Sequence, residues 1–214
     1  MKVAPAINTI DFKEVKSKLK EIESLGADWA HLDVADGEFT KNNLWNNPED
    51  LISLNLSEYV PSLNVEVHLM TNEPDSAVKN WLNTGIKRIY IHYEVATDIK
   101  EIKKQCDDAG VELGLAIGPN VPVEGLFEFK NRISHFLILT VTPGLPGQKS
   151  YEGQIDKIKL LRLELPDAKI EVDGGIELNS AREVKLAGAD SIVSASYIWN
   201  SDNFKEKFEL LKGI

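Results

Sequence analysis

The chain has 214 residues, 43% of them hydrophobic and 27% charged, enough to bury a sizeable core. A net charge of −10 and a pI near 5.0 argue against nucleic acid or an anionic membrane as partner, whereas a small phosphate needs only local backbone N–H groups. No signal-peptide pattern or membrane-length apolar run is present, and Cys106, the one cysteine, excludes a disulfide framework and a thiolate metal site, so a reducing, cytoplasmic setting is expected.

In chain order, residues 2–6 have the composition of a strand, and Asp11 is placed to cap an amphipathic helix over 12–25 that Gly26 ends. A strand over 27–33 follows, then one over 63–68 and a helix over 74–84 ended by Gly85. Next come a strand over 88–92, a helix over 97–109 ended by Gly110, and strands over 111–117 and 135–141. A helix over 154–165, a strand over 169–173 and a helix over 180–187, capped by Asn179 and ended by Gly188, lead to a strand over 190–194 and a final helix over 203–212. Eight strands alternating with helices predict an α/β protein, a single (β/α)8 TIM barrel spanning residues 1–214. A doubly wound sheet fits less well, because Pro5-Ala6-Ile7-Asn8-Thr9 lacks the glycine-rich dinucleotide turn after the first strand.

Alternate side chains of a strand share a face, so His31 and Asp33 project together at the end of the second strand. His68 closes the third strand, and Asp173 closes the seventh directly before Gly174-Gly175. Two imidazoles and two carboxylates at the carboxyl ends of strands suit a divalent metal ion, at the end of a parallel barrel that carries chemistry. His92 closes the fourth strand, where it either approaches this site or forms hydrogen bonds within the barrel mouth. His135 opens its strand and is assigned to the opposite, stability face. Asp36, beside Gly37, is the polar residue of a turn. Glu66 and Glu171 lie two residues before His68 and Asp173, on the inward face one layer lower, and there they support the ligands or pair with a lysine such as Lys2 or Lys169. Trp45, Trp81 and Trp199 are assigned to core or interface; in the long segment 39–49, an exposed Trp45 would cover the barrel mouth or meet another subunit. Glycine-bearing turns follow the sixth and seventh strands, and a small-residue turn, Ser194-Ala195-Ser196, follows the eighth; all three suit phosphate held by backbone N–H groups.

At these residues the chain resembles the ribulose-phosphate 3-epimerase family. The motifs are His-Leu-Asp-Val-x-Asp-Gly at 31–37, Val-His-Leu-Met at 67–70, Gly-Leu-Ala-Ile-x-Pro at 114–119, Thr-Val-x-Pro-Gly at 140–144 with Gly147-Gln148, and Glu-Val-Asp-Gly-Gly-Ile at 171–176. The resemblance implies one divalent ion per subunit on His31, Asp33, His68 and Asp173, with zinc expected first and iron, manganese or cobalt as alternatives. It implies that Asp33 and Asp173 invert C3 of a ketose phosphate, D-ribulose 5-phosphate or D-xylulose 5-phosphate, by two proton transfers through an enediolate. Substrate and phosphate contacts are implied at Met70, Gly144, Gly147, Gln148, Gly174, Gly175, Ala195 and Ser196, and assembly as a homo-oligomer, a dimer or hexamer.

The chain also departs from the family pattern. Ala6 stands where a serine is usual, Ala35 and Leu139 where methionines are usual, and Leu145-Pro146 where Phe-Gly is usual; Ala195 replaces the glycine of the final turn. Proline has no N–H, so Pro146 removes one backbone donor from the phosphate turn. The extra room left by Ala6 and Ala35 keeps a six-carbon ketose phosphate as an alternative substrate. A catalytically weak sugar-phosphate binding protein is a third reading.

Overall fold

The computed structural model describes residues 1–142 and 153–214. Eight parallel strands, β1 (Lys2–Ile7), β2 (Trp29–Ala35), β3 (Asn64–Met70), β4 (Arg88–His92), β5 (Glu112–Ile117), β6 (His135–Leu139), β7 (Lys169–Asp173) and β8 (Ser191–Ser194), pair in sequence order. Pairing of β8 with β1, Val3 opposite Ile192, closes the barrel. Helices α1 (Phe12–Ser24), α2 (Pro48–Leu54), α3 (Leu56–Tyr59), α4 (Pro74–Trp81), α5 (Ile99–Asp108), α6 (Gln154–Glu164), α7 (Leu178–Ala187), α8 (Ser196–Trp199) and α9 (Phe204–Lys212), with a 3-10 helix at Val123–Phe129, complete the described elements. The predicted (β/α)8 TIM barrel is what forms. Among the described residues no helix is long and apolar enough to cross a membrane.

Period-two alternation sorts each strand into two environments. Leu32, Val34, Val67, Leu69, Ile89, Ile91, Ile170 and Val172 face outward and pack with Val15, Leu19 and Ile22 of α1 and their counterparts on other helices. Ala4, Ala6, Tyr90, Ala116, Leu137, Leu139 and Val193 fill the interior. These small residues leave room for one large ring. The Tyr90 ring lies against Gly114 on the neighbouring strand, so close that a Cβ there would stand 2.3 Å from it. We therefore expect Gly114→Ala to cost about 1–3 kcal/mol by overpacking; urea unfolding checks this, and an unchanged midpoint would mean that the ring moves aside freely.

Asp11 caps α1 as expected, its carboxylate accepting from the Lys13 N–H at 2.9 Å. Gly26, Gly85, Gly110 and Gly188 take positive φ where the helices turn back to the strands, the conformation glycine tolerates best. One predicted cap is corrected. Helix α7 begins at Leu178 and Glu177 is its cap, because the Ser180 hydroxyl accepts from the Glu177 N–H at 2.9 Å, which leaves Asn179 inside the first turn. Trp45 takes the core reading: it is buried, stacks on Phe12 at 5.1 Å, meets Trp81 edge-on at 5.9 Å, and donates its indole N–H to Asp50 at 3.0 Å. Asp36 makes the expected turn, accepting from the Glu38 and Phe39 N–H groups at 2.8 and 3.1 Å. The α2–α3 pair, the 3-10 helix and α8 are elements beyond those the sequence pattern predicts.

Candidate metal centre

Strands β2, β3 and β7 bring His31, Asp33, His68 and Asp173 together at the C-terminal end of the barrel. One ligand atom from each lies within 4.8 Å of those from the other three. Asp33 is central. Its Oδ1 is 3.0 Å from His68 Nδ1 and 3.4 Å from His31 Nε2, while Oδ2 accepts from the Asn8 side-chain amide at 3.3 Å.

The layer beneath fixes the rings. His31 Nδ1 is 2.8 Å from Glu66 Oε1, which assigns that nitrogen the proton and leaves Nε2 with a lone pair directed into the site. His31 Nε2 is wholly buried and has no hydrogen-bond partner. An orphaned imidazole nitrogen at the meeting point of two carboxylates and a second imidazole fits a borderline divalent cation.

The electrostatics carry the same demand for positive charge. Burial opposes charging His31, yet Asp33 and Glu66 outweigh it and raise its pKa well above the usual value. Burial favours neutral Asp33, but His31 and His68 hold its carboxyl far below the ordinary range. Burial and the neighbouring Asp33 charge push Asp173 up to about 6. The two aspartates thus have different proton affinities, the condition for one to take a proton while the other gives one. For His68, burial dominates and lowers the pKa despite Asp33.

Below this set lies a buried charged network. Of the two readings for these acids, Glu66 supports His31, and the charge partner of Glu66 and Glu171 is Arg88 where a lysine such as Lys2 or Lys169 was expected, with Tyr90 bonded to Glu171. The Arg88 guanidinium donates to Glu66 at 2.9 Å and to Glu112 at 2.7 Å, lies 3.9 Å from Glu171, and stacks on Trp29 at 4.2 Å. The Tyr90 hydroxyl donates to Glu171 at 2.7 Å. Burial and Glu66 push the Glu171 carboxyl up to about 8. Arg88 and Tyr90 share the inward face of β4 with His92, and that alternation was the signal for them. Asn8, two residues beyond inward-facing Ala6, carries the same signal in weaker form, because it lies past the end of β1.

His92 reaches the site: its Nε2 is 3.0 Å from His68 Nε2. His135 lies at the N-terminal end as expected, 3.7 Å from Glu112, with burial and Arg88 lowering its pKa to about 4. Met70 is buried with Ala35, Leu44 and Phe39 at the mouth. Gly174 and Gly175 take positive φ in the turn after β7, and a Cβ at Gly174 would stand 2.6 Å from Val141. Ala195 precedes α8 and Ser196 opens it, and the Ser194 hydroxyl ties this turn to Ile176 at 3.0 Å. Gly144, Leu145, Pro146, Gly147 and Gln148 lie outside the described residues.

A closed barrel with a convergent imidazole–carboxylate set at its C-terminal mouth has the architecture of a (β/α)8 enzyme. The sequence model of the Ribulose-phosphate 3 epimerase family matches residues 2–199. The chain is 36% identical to the ribulose-phosphate 3-epimerase of Chlamydia trachomatis, covering 99% of this chain and 92% of that protein. It is 30% identical to the enzyme of that name in Bacillus subtilis, covering 100% and 99%. Among solved structures, 3-keto-L-gulonate-6-phosphate decarboxylase of Vibrio cholerae superposes with a TM-score of 0.76 over 99% of this chain and 95% of its own, at 12% identity, a likeness of fold alone. The chain belongs to the ribulose-phosphate 3-epimerase family, a family of isomerases, and membership supports pentose-phosphate epimerase activity.

Proposed function

We propose that the protein inverts C3 of D-ribulose 5-phosphate to give D-xylulose 5-phosphate, and the reverse, with a divalent ion held by His31, Asp33, His68 and Asp173. The observation that carries this reading is the orphaned His31 Nε2 between two carboxylates of unlike proton affinity. When bound, the cation supplies the positive charge that stabilises an enediolate, because a carboxylate alone is too weak a base for a proton next to a ketone.

The residues do the rest. Asp33 and Asp173 come from β2 and β7, with β1 and β8 between them, so their carboxyl groups approach the reacting carbon from different directions. One removes the C3 proton; the other, protonated, delivers a proton to the opposite face, and the roles exchange with reaction direction. Glu66 and Asn8 hold His31 and Asp33 in place. Met70, Leu139 and Ala6 present apolar surface that excludes water from the reacting carbon. The reading places the substrate phosphate on the turns carrying Gly174, Gly175, Ala195 and Ser196 together with Gly144, Gly147 and Gln148.

The test is deuterium uptake at C3 of ribulose 5-phosphate in heavy water, followed by NMR on zinc-, manganese-, iron- and cobalt-loaded protein. Uptake with appearance of xylulose 5-phosphate, lost on chelation and regained on metal addition, is expected. Metal-loaded protein that exchanges no C3 proton would overturn the substrate assignment and favour the six-carbon ketose phosphate, for which Ala6 and Ala35 leave room.

A further inference from the structure

The second imidazole of the site is backed by a longer chain of groups than the first. His68 Nδ1 faces Asp33 Oδ1 at 3.0 Å, His68 Nε2 faces His92 Nε2 at 3.0 Å, and His92 Nδ1 faces Glu94 Oε1 at 2.9 Å. Each of the three contacts joins two atoms that repel unless a proton or a cation lies between them. Two neutral imidazoles bring only two protons to three contacts, so one positive charge is missing from the line.

The far end decides where the gap falls. Glu94 Oε1 accepts from the Gly118 N–H at 3.1 Å, which orients the carboxylate, and an ionised carboxylate only accepts. His92 therefore carries its proton on Nδ1 and presents a bare Nε2 to His68. His68 must then carry its proton on Nε2, and its bare Nδ1 is left facing Asp33. That junction, to which neither imidazole brings a proton, is the one where His31 Nε2 and Asp173 also converge. His92 is fully buried, and the Phe39 ring packs on it at 4.3 Å, which keeps water from supplying an alternative partner.

We infer that His92 and Glu94 are positioning residues: through hydrogen bonds they hold His68 as the Nε2–H tautomer and aim its Nδ1 lone pair at the metal position. The opposite tautomer would place a proton where the ion belongs. His31 receives the same service directly from Glu66, whereas His68 receives it through an intervening imidazole. This inference rests on the metal-site reading proposed above.

The test uses full-length protein and measures cobalt(II) affinity by competition with a chelator, together with the visible spectrum of the cobalt form. His92→Phe keeps a ring under Phe39 but cannot accept, and Glu94→Leu removes the anchor of His92. Both are expected to weaken cobalt binding by about 10- to 100-fold and to alter the ligand-field bands. Glu94→Gln keeps the oxygen that the Gly118 N–H fixes, and is expected to stay within about threefold of wild type, below the roughly 10- to 100-fold loss that removing such a partner causes. Nitrogen-15 NMR of the zinc-loaded wild type, which needs no variant, should find His68 coordinated through Nδ1 with a proton on Nε2. Coordination through Nε2, or unchanged cobalt affinity in both His92→Phe and Glu94→Leu, would overturn the relay while leaving the metal site standing. Wild-type protein that binds neither zinc nor cobalt would remove the metal site, and the relay with it.

Discussion

Replacing Asp173 by Asn is expected to lower turnover by about 10²- to 10⁴-fold in metal-saturated protein, the usual contribution of a single general acid–base group. Asn keeps the shape and one ligand oxygen but can neither take nor give the C3 proton. The same change should stabilise the metal-free protein. Burial and Asp33 push the Asp173 pKa up to about 6, so in the folded state ionisation is disfavoured relative to the unfolded chain. A carboxyl whose folded pKa is raised contributes full stability below its unfolded value, and that contribution is lost as pH rises from about 4 to about 6. At neutral pH the loss is complete, and Asn, which never ionises, avoids it; the gain is about 1–3 kcal/mol. Thermal unfolding with chelator at pH 7.5, beside steady-state kinetics with metal, checks both halves. A variant that lost activity and also lost metal-free stability would point to a disrupted fold instead of a missing acid–base group.

Arg88→Met is expected to destabilise the protein by about 3–5 kcal/mol, the cost of leaving buried carboxylates without their cation. Arg88 is the guanidinium that meets Glu66, Glu112 and Glu171 together. Arg88→Lys should recover only part of the loss, because an ammonium cannot reproduce the fork that reaches Glu66 and Glu112 at once. The network also predicts a pH slope. Glu171, with its folded pKa pushed up to about 8, binds its proton more tightly when folded, so its contribution to stability falls as pH rises from about 4.5 to about 8. Glu171→Gln should flatten that part of the profile. Urea unfolding of both variants across this range is the measurement; an Arg88→Met cost below about 1 kcal/mol would place the network among those that contribute little.

The barrel was legible because each strand carries its own periodicity and four of the returns, at Gly26, Gly85, Gly110 and Gly188, carry a glycine. Both signals are local, and those four glycines take positive φ. The metal set was legible for a related reason: His31, Asp33, His68 and Asp173 share the inward alternation of β2, β3 and β7, and parallel topology gathers the same end of those strands into one place, although β2 and β3 run two residues beyond Asp33 and His68. Their partners were harder to see. Arg88 begins a strand, a position at which any long polar residue is tolerated, and only its depth in the closed barrel makes it a partner of Glu66. The position of His92 was visible but its purpose was not, since its geometry to His68 depends on how β3 and β4 are staggered. Asn179 lost the cap to Glu177 because either residue has a side chain able to cap, and the helix starts two residues earlier than its apolar pattern suggests. The α2–α3 pair carries no readable period because Asn55 takes a left-handed turn between two helices that are each too brief to establish one.

Tyr90 and Gly114 have a consequence for how such a barrel can change over time. Enlarging Gly114 collides with the ring, and shrinking Tyr90 leaves a void beside Glu171, which then loses the hydroxyl that donates to it. Neither position can drift alone without loss. Substitutions at the two sites are therefore epistatic, and lineages descended from this sequence would exchange the pair jointly or keep both, which makes two residues on adjacent strands a single unit of inheritance.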